Sequence, residues 1–458
     1  MRTCTTNWGP LMDRPNHHRF SRRGFLRASA TGLGALAASP SFRVWGSGLE
    51  PYQGKLLFTL QLDGGADVTQ LCDPKVNTPG ERKINHWADN ADPGEWGYIR
   101  YAPVADNARL FNRFGADMLV VNGVDAQTGS HETGKLFNWT GSNAEGLPSI
   151  TAMHAAAKSP DHPLAYSVFG GSSRTAGLIT YNRFDDVSRL RELTDPTRQP
   201  WNPQESMRPE EELVRSRQLV AQSISDMFSN PDLTPRQRRA LSKHRDARSG
   251  QEGLSLLAES LPNSDSFQNG ENFNVGNWQF FSNLKQQMQG AMLVMKAGLG
   301  SAADLSLDGF DSHENHDDIH AELYAHLSDA LHFFWDYAES LGIADRILLL
   351  VGSDFGRTNM YNDGNGKDHW NIGSYMLMEQ GAPWGGRVVG ATDELHFARA
   401  INPTTLQLDS RGVVITPAHV HKAIRSYLGL DATARLNGLD LNSTEDIPLF
   451  DPGKMTYL

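Results

Sequence analysis

The sequence predicts an α/β fold built on a mostly parallel sheet, and three observations carry that expectation. Short apolar-rich runs at residues 55–62, 118–121 and 347–351, the last of them unbroken, each stop at a cluster of Asp, Asn or Gly, and runs of that length suit strands covered on both faces. Between them lie segments whose apolar residues recur every three or four positions, the helical period. Asp and His gather just after the runs, where open α/β sheets collect ligands beyond the C-terminal ends of their strands.

The chain of 458 residues can bury a large core, and one α/β domain with an excursion is the expected organisation. A net charge of -11, from 42 Lys and Arg against 53 Asp and Glu, disfavours nucleic acid as a general partner. Ser21-Arg22-Arg23-Gly24-Phe25-Leu26-Arg27 has the twin-arginine export pattern, and residues 28–38 are small and mildly apolar, ending in Ala35-Leu36-Ala37, an A-x-A cleavage site. That stretch is too short and too mild for a stable membrane span. The implied partner is the twin-arginine translocase, and the implied location is the periplasm or beyond. Of the cysteines, Cys4 and Cys72, only the second survives cleavage, so no internal disulfide forms. Because twin-arginine export carries folded proteins, often already loaded with a metal or cofactor, metal-ligating residues are the ones to seek.

The expected organisation is a leader at 1–38, a linker at 39–54, the first part of the core at 55–184, a helical insertion at 185–274 and the second part of the core at 275–458. The first strand, 55–62, ends in Asp63-Gly64-Gly65-Ala66-Asp67; a tight turn explains these residues as well as a ligand role does. Residues 107–114 have helical spacing and 118–121 form the next strand. Gly129-Ser130-His131-Glu132 then leads into a helix from residue 135, which makes Ser130 either an N-cap or a group held near an anion-binding helix N-terminus. A helix follows from 147 to 157, and a strand from 164 to 169. The insertion consists of charged helical stretches at 209–228 and 235–261. A helix at 286–298 and a short strand at 305–307 precede Asp308-Gly309-Phe310-Asp311-Ser312-His313-Glu314-Asn315-His316, where carboxylates and imidazoles are dense. Ile319, Leu323, Leu327, Leu331 and Phe334 predict one long amphipathic helix over 317–341. The strand at 347–351 delivers Asp354, a glycine-rich loop at 362–366 returns Asp368 and His369 toward it, residues 374–378 form a further strand, residues 385–387 a turn, and Thr416-Pro417 opens a last helix to 428.

The twin-arginine leader, GGAD after the first strand, SHETG with WTG, GFDSH, SDFGRT and a GKDH loop together resemble domain-of-unknown-function family 1501, exported bacterial proteins related to the alkaline phosphatases and sulfatases. The resemblance implies an alkaline-phosphatase-like three-layer core. It also implies an exported metal-dependent hydrolase of phosphate or sulfate esters, with the alternative of a non-catalytic member that binds a glycan or another secreted protein. Carried over residue by residue, Asp63 or Asp67 supplies the carboxylate after the first strand and Ser130 the nucleophile beside His131. Asp311, His313, Asp354 and His369 become the later metal ligands. Carboxylate oxygen and imidazole nitrogen suit zinc, manganese or a similar divalent ion. Two departures stand out. Active relatives carry Asp-His where this chain has Asp354-Phe355, and they space the other Asp and His further apart than Asp311 and His313; His131 or His316 is left to supply the missing imidazole, or the second ion is absent. The sulfatase signature C-x-P-x-R begins at Cys72-Asp73-Pro74 but meets Val76 at its fifth position.

Overall fold

An apolar run folds as a central strand when both its faces are covered, and Leu56–Asp63 (β1) is buried along all but its last residue. The computed structural model describes residues 50–457, apart from positions scattered between 172 and 277 and residues 440, 442 and 443. The expected leader therefore lies outside the described residues. Seven further strands join β1 in one sheet: Met118–Asp125 (β2), Tyr166–Val168 (β3), Asn182–Arg183 (β4), Ala302–Asp308 (β5), Ile347–Ser353 (β6), Ile372–Met378 (β7) and Arg387–Val389 (β8). Their order is β8-β2-β7-β6-β1-β5-β3-β4, and β7 alone runs antiparallel to its neighbours. This is the mainly parallel α/β sheet that the sequence predicts.

Helices cover both faces, because successive strand residues point to opposite sides. Leu57, Leu348 and Leu350 belong to a core cluster with Ile150 and Met153 of Ile150–Lys158 and with Val420 and Ile424 of Pro417–Leu428. Phe58, the next residue of β1, meets the opposite layer, its ring edge-on to Phe334 at 5.2 Å between centroids. Phe334 lies on His316–Leu341, the long helix foreseen from its apolar spacing, with Ile319, Leu323, Leu327 and Leu331 also buried. Asn107–Phe114 and Leu284–Lys296 pack on the same side.

Register sets where the strands end. Asp63 pairs with Asp308 across β1 and β5, and Leu62 pairs with Ser353 across β1 and β6. Three neighbouring strands thus finish level, and their following loops form one rim. Several expected boundaries shift. The helix expected from residue 135 begins at His131 and runs to Thr140 (α1), because the polar His-Glu-Thr-Gly turn carries no apolar period yet still makes helical hydrogen bonds. Arg387, expected in a turn, opens β8. Within 185–274, Glu210–Phe228 is helical as expected, but most of 235–261 lies outside the described residues, and Glu271–Val275 pairs with Trp278–Ser282 as a hairpin. Among the described residues no helix is long and apolar enough to cross a membrane.

One buried carboxyl gives the core a pH dependence. Asp304 on β5 is fully buried, takes a hydrogen bond from Thr59 Oγ1 at 2.8 Å and contacts the Tyr166 hydroxyl; burial pushes its pKa up to about 7. A carboxyl raised in the fold favours the fold while protonated. That contribution is complete below an unfolded pKa of about 4 and is lost as pH rises through the folded value. Melting should therefore fall between about pH 4 and 7 and level off above that, and Asp304→Asn, uncharged throughout, should flatten that slope. Equal slopes in the two proteins would contradict this assignment.

Candidate metal centre

The rim beyond β1, β5 and β6 is held together by Asp354. Its side chain is buried, and Oδ1 accepts from the backbone N–H groups of Gly65 at 2.7 Å and Gly64 at 3.2 Å and from Ser353 Oγ at 3.0 Å. Gly64 has φ +114°, and a Cβ there would stand 2.5 Å from Asp311 N, so glycine is required for the turn after β1 to approach the loop after β5. Gly134 serves α1 in a similar way: a Cβ would lie 2.5 Å from the Asp354 carbonyl oxygen. The helix consequently lies close enough for His131 Nδ1 to reach Asp354 Oδ2 at 2.5 Å.

Three imidazoles converge on Asp311. His131, Asp311 and His369 form a group whose donor atoms lie within 4.8 Å of one another. Asp311 Oδ1 is 3.5 Å from His131 Nε2, 3.3 Å from His369 Nε2 and 3.0 Å from His313 Nε2. His369 Nε2 is 3.2 Å from the Nε2 atoms of both His131 and His313. Each ring is pinned through its other nitrogen. His131 Nδ1 faces Asp354, His369 Nδ1 donates to the Gly129 carbonyl at 2.7 Å, and His313 Nδ1 faces Asp368 Oδ1 at 2.9 Å. An acceptor at Nδ1 places the ring proton there and leaves Nε2 as a lone pair in the neutral ring. Lone-pair nitrogens and a carboxylate oxygen facing one another at about 3 Å repel unless a cation stands among them.

The donor spacing fits such a cation. For an ion about 2.1 Å from each ligand, tetrahedral donors stand about 3.4 Å apart, and the His131, Asp311 and His369 edges of 3.2, 3.3 and 3.5 Å match one face. Side chains that are 25, 49 and 28% exposed leave the opposite face open to solvent. Burial alone would raise the Asp311 pKa, but the Arg357 guanidinium at 2.6 Å, with His131 and His313, holds it down to about 2, so this ligand is an anion at any ordinary pH. His131 is raised above the usual histidine value, first by its hydrogen bond to Asp354.

The other residues singled out in the sequence fall around this cluster. Asp354 lies one layer behind it, against His131. Asp63 is not in the cluster; it pairs with Lys135 Nζ at 2.7 Å, and burial raises its pKa against that partner's pull. Asp67 is also apart from the cluster, fully buried between His316 Nε2 at 2.8 Å and Lys367 Nζ at 2.6 Å. Desolvation works against its charge, yet Lys367 and His316 keep its pKa well below the usual range. His316 is thereby committed to Asp67. Ser130 is exposed at the N-cap of α1, with φ -102° and ψ 124°, and its hydroxyl makes no capping hydrogen bond. Phe355 is 2% exposed, its ring 4.7 Å from that of His131 and 4.6 Å from that of His369 between centroids. Cys72 is buried, which pushes its thiol up to about 12.

Sequence reasoning missed Arg357 and Lys367. Arg357 is fully buried, and its donors are spent on the carbonyls of Gly64, Gly65 and Lys367 and on Asp311. The usable signal was position: each basic residue stands within three residues of a residue already chosen, Asp354 or His369.

Comparison with known proteins gives distant structural likenesses and one family. Among solved structures, the lipoteichoic acid synthase LtaP from Listeria monocytogenes is 10% identical over 92% of this chain and 80% of its own, with a TM-score of 0.32. The PsFucS1 sulfatase from Pseudoalteromonas sp. is 9% identical over 88% of this chain and 73% of its own, at 0.35. The alkaline phosphatase from the Antarctic bacterium TAB5 is 10% identical over 73% of this chain and 94% of its own, at 0.30. At TM-scores below 0.5 these likenesses identify no activity. No curated protein matches the chain. The model of the family described as "Protein of unknown function (DUF1501)" matches residues 55–433, and the chain belongs to that family.

Proposed function

We propose that the chain is an exported, metal-dependent hydrolase of phosphate or sulfate esters. The observation that supports this most strongly is the convergence of three imidazole Nε2 atoms and the Asp311 carboxylate, each ring pinned at Nδ1 by a separate acceptor. Nitrogen with one carboxylate oxygen suits zinc, with manganese as the other candidate. A divalent ion held by His131, Asp311 and His369, with His313 beside them, supplies Lewis acidity toward an ester oxygen.

The chain's own groups supply the rest. Ser130 precedes His131 and keeps its hydroxyl free of the backbone, which suits a nucleophile better than a cap. The first-turn N–H groups of α1 lack a side-chain cap from Ser130 and can hold ester oxygens. Lys135, one turn beyond His131 on the same helix face, offers a partly exposed ammonium beside Asp63. Arg357, buried and fully engaged, is excluded from substrate contact. The second reading, a non-catalytic member that binds a glycan or a secreted partner and keeps one ion, is favoured by Phe355, whose ring packs against both His131 and His369 at the position where active relatives carry a histidine.

Asp354→Asn tests the centre. The Asn oxygen can still accept from Gly64 and Gly65, but its amide then faces His131 Nδ1 as a donor and moves the ring proton to Nε2. Zinc affinity, read by competition titration, should fall about 10- to 100-fold with little change in melting; unchanged affinity would remove Asp354 from the account.

Ser130→Ala separates the two readings. Since no cap bond is lost, destabilisation should stay below the roughly 0.5–2 kcal/mol of a cap deletion, while hydrolysis of an aryl phosphate or sulfate should cease. Equal turnover in wild type and variant would dismiss Ser130 as nucleophile, leaving Thr128 and Thr133 as the next hydroxyls. Lack of turnover in the metal-loaded wild type would favour the binding protein.

Export has its own test. Replacing Arg22 and Arg23 together by Lys should leave the precursor in the cytoplasm, and normal periplasmic amounts of that variant would refute the twin-arginine assignment.

A further inference from the structure

Lys367, Asp368 and His369 are consecutive, yet each meets a different part of the molecule. His369 joins the donor cluster and Asp368 orients His313 at 2.9 Å. Lys367 turns inward. Its side chain is fully buried, with Nζ 2.6 Å from Asp67 Oδ2, 3.3 Å from Thr69 Oγ1 and from Asn85 Oδ1, and 5.1 Å from the centre of the Tyr361 ring. Three oxygens and an aromatic face form a cage for one cation.

Hydrogen-bond directions show that the neighbouring histidines do not supply that charge. His320 Nε2 accepts the Asp67 backbone N–H at 3.2 Å, so its proton is on Nδ1, facing Ser312 Oγ at 3.1 Å. The Ser312 hydroxyl then donates to His316 Nδ1 at 2.8 Å, and His316 Nε2–H donates to Asp67 Oδ2 at 2.8 Å. Both imidazoles are complete as neutral rings, and both are fully buried. The ammonium is what balances Asp67, and removing it strands a carboxylate in the core.

We propose that the Lys367 ammonium is a built-in cation that neutralises the buried Asp67, and that this charge balance, rather than a tether, keeps the 367–369 segment in place, making Lys367 a positioning residue for His369 and, through Asp368, for His313. Its bearing on metal affinity rests on the reading of the cluster as a metal centre. The backbone of this segment is also tied down, by Lys367 N–H to the Ser312 carbonyl at 3.2 Å and by Arg357 Nη1 to the Lys367 carbonyl at 3.0 Å. A test must therefore isolate the charge.

A double-mutant cycle does so, with zinc affinity and amide hydrogen exchange of residues 364–369 in metal-free protein as its two readouts. Lys367→Met keeps most of the side-chain volume and removes the charge; it should weaken zinc binding about 10- to 100-fold and speed exchange about tenfold. Adding Asp67→Asn removes the stranded carboxylate and should return both readouts to within about threefold of wild type. Should the single variant fail to fold, recovery of the fold by Asp67→Asn supports the charge role, and failure to recover overturns it. Wild-type behaviour of Lys367→Met alone, or a double variant as impaired as the single one, also overturns it. A wild type that binds no zinc refutes the metal reading, while the exchange readout still decides the role of Lys367.

Discussion

The Asp354 carboxylate is the contact on which the geometry of the rim depends. One oxygen collects the N–H groups of the glycine turn after β1, and the other fixes the ring of His131 at the start of α1. Both elements are thereby set relative to β6. The two glycines permit the approach that this demands, and the level ends of β1, β5 and β6 put the Asp311 loop within reach. A carboxylate in that position works indirectly: by holding a proton on Nδ1 it leaves Nε2 as a donor atom.

Around that contact the molecule separates its charges into two zones. Outward, His131, His313, His369 and Asp311 turn toward solvent, with the Arg357 guanidinium paired to Asp311. Inward, Asp67 and Lys367 form a buried pair screened by neutral histidines, hydroxyls and an amide. The loop from Asn362 to His369 belongs to both zones, and Gly366, where a Cβ would run into the His313 carbonyl, lets it pass between them.

Much of this was legible in the sequence because it is written locally. Apolar runs at 55–62 and 347–351 mark strands buried on both faces, and the three-to-four spacing from Ile319 to Phe334 marks the long helix. Asp311, His313, Asp354 and His369, chosen because they follow strand ends or a returning loop, do gather at one rim, together with His131. What stayed hidden depends on partners far away in the chain. The direction of β7 is not encoded in its apolar pattern, which reads the same parallel or antiparallel. Asp67 and Asp63 both follow β1 in a polar turn, and only the fold shows that one is matched by Lys367, 300 residues on, and the other by Lys135. Start signals also mislead when a helix opens on polar residues, as α1 does at His131.

His131, Asp311 and His369, with His313 beside them, are read as the ligands of one divalent ion at this rim. X-ray absorption at the zinc edge of the zinc-loaded protein tests this reading most directly. A shell of nitrogen and oxygen scatterers at about 2.0 to 2.2 Å is expected, with an imidazole outer-shell signature that falls sharply when His369 and His131 are replaced by Ala. A shell of oxygen alone, or one unchanged by those substitutions, would contradict it.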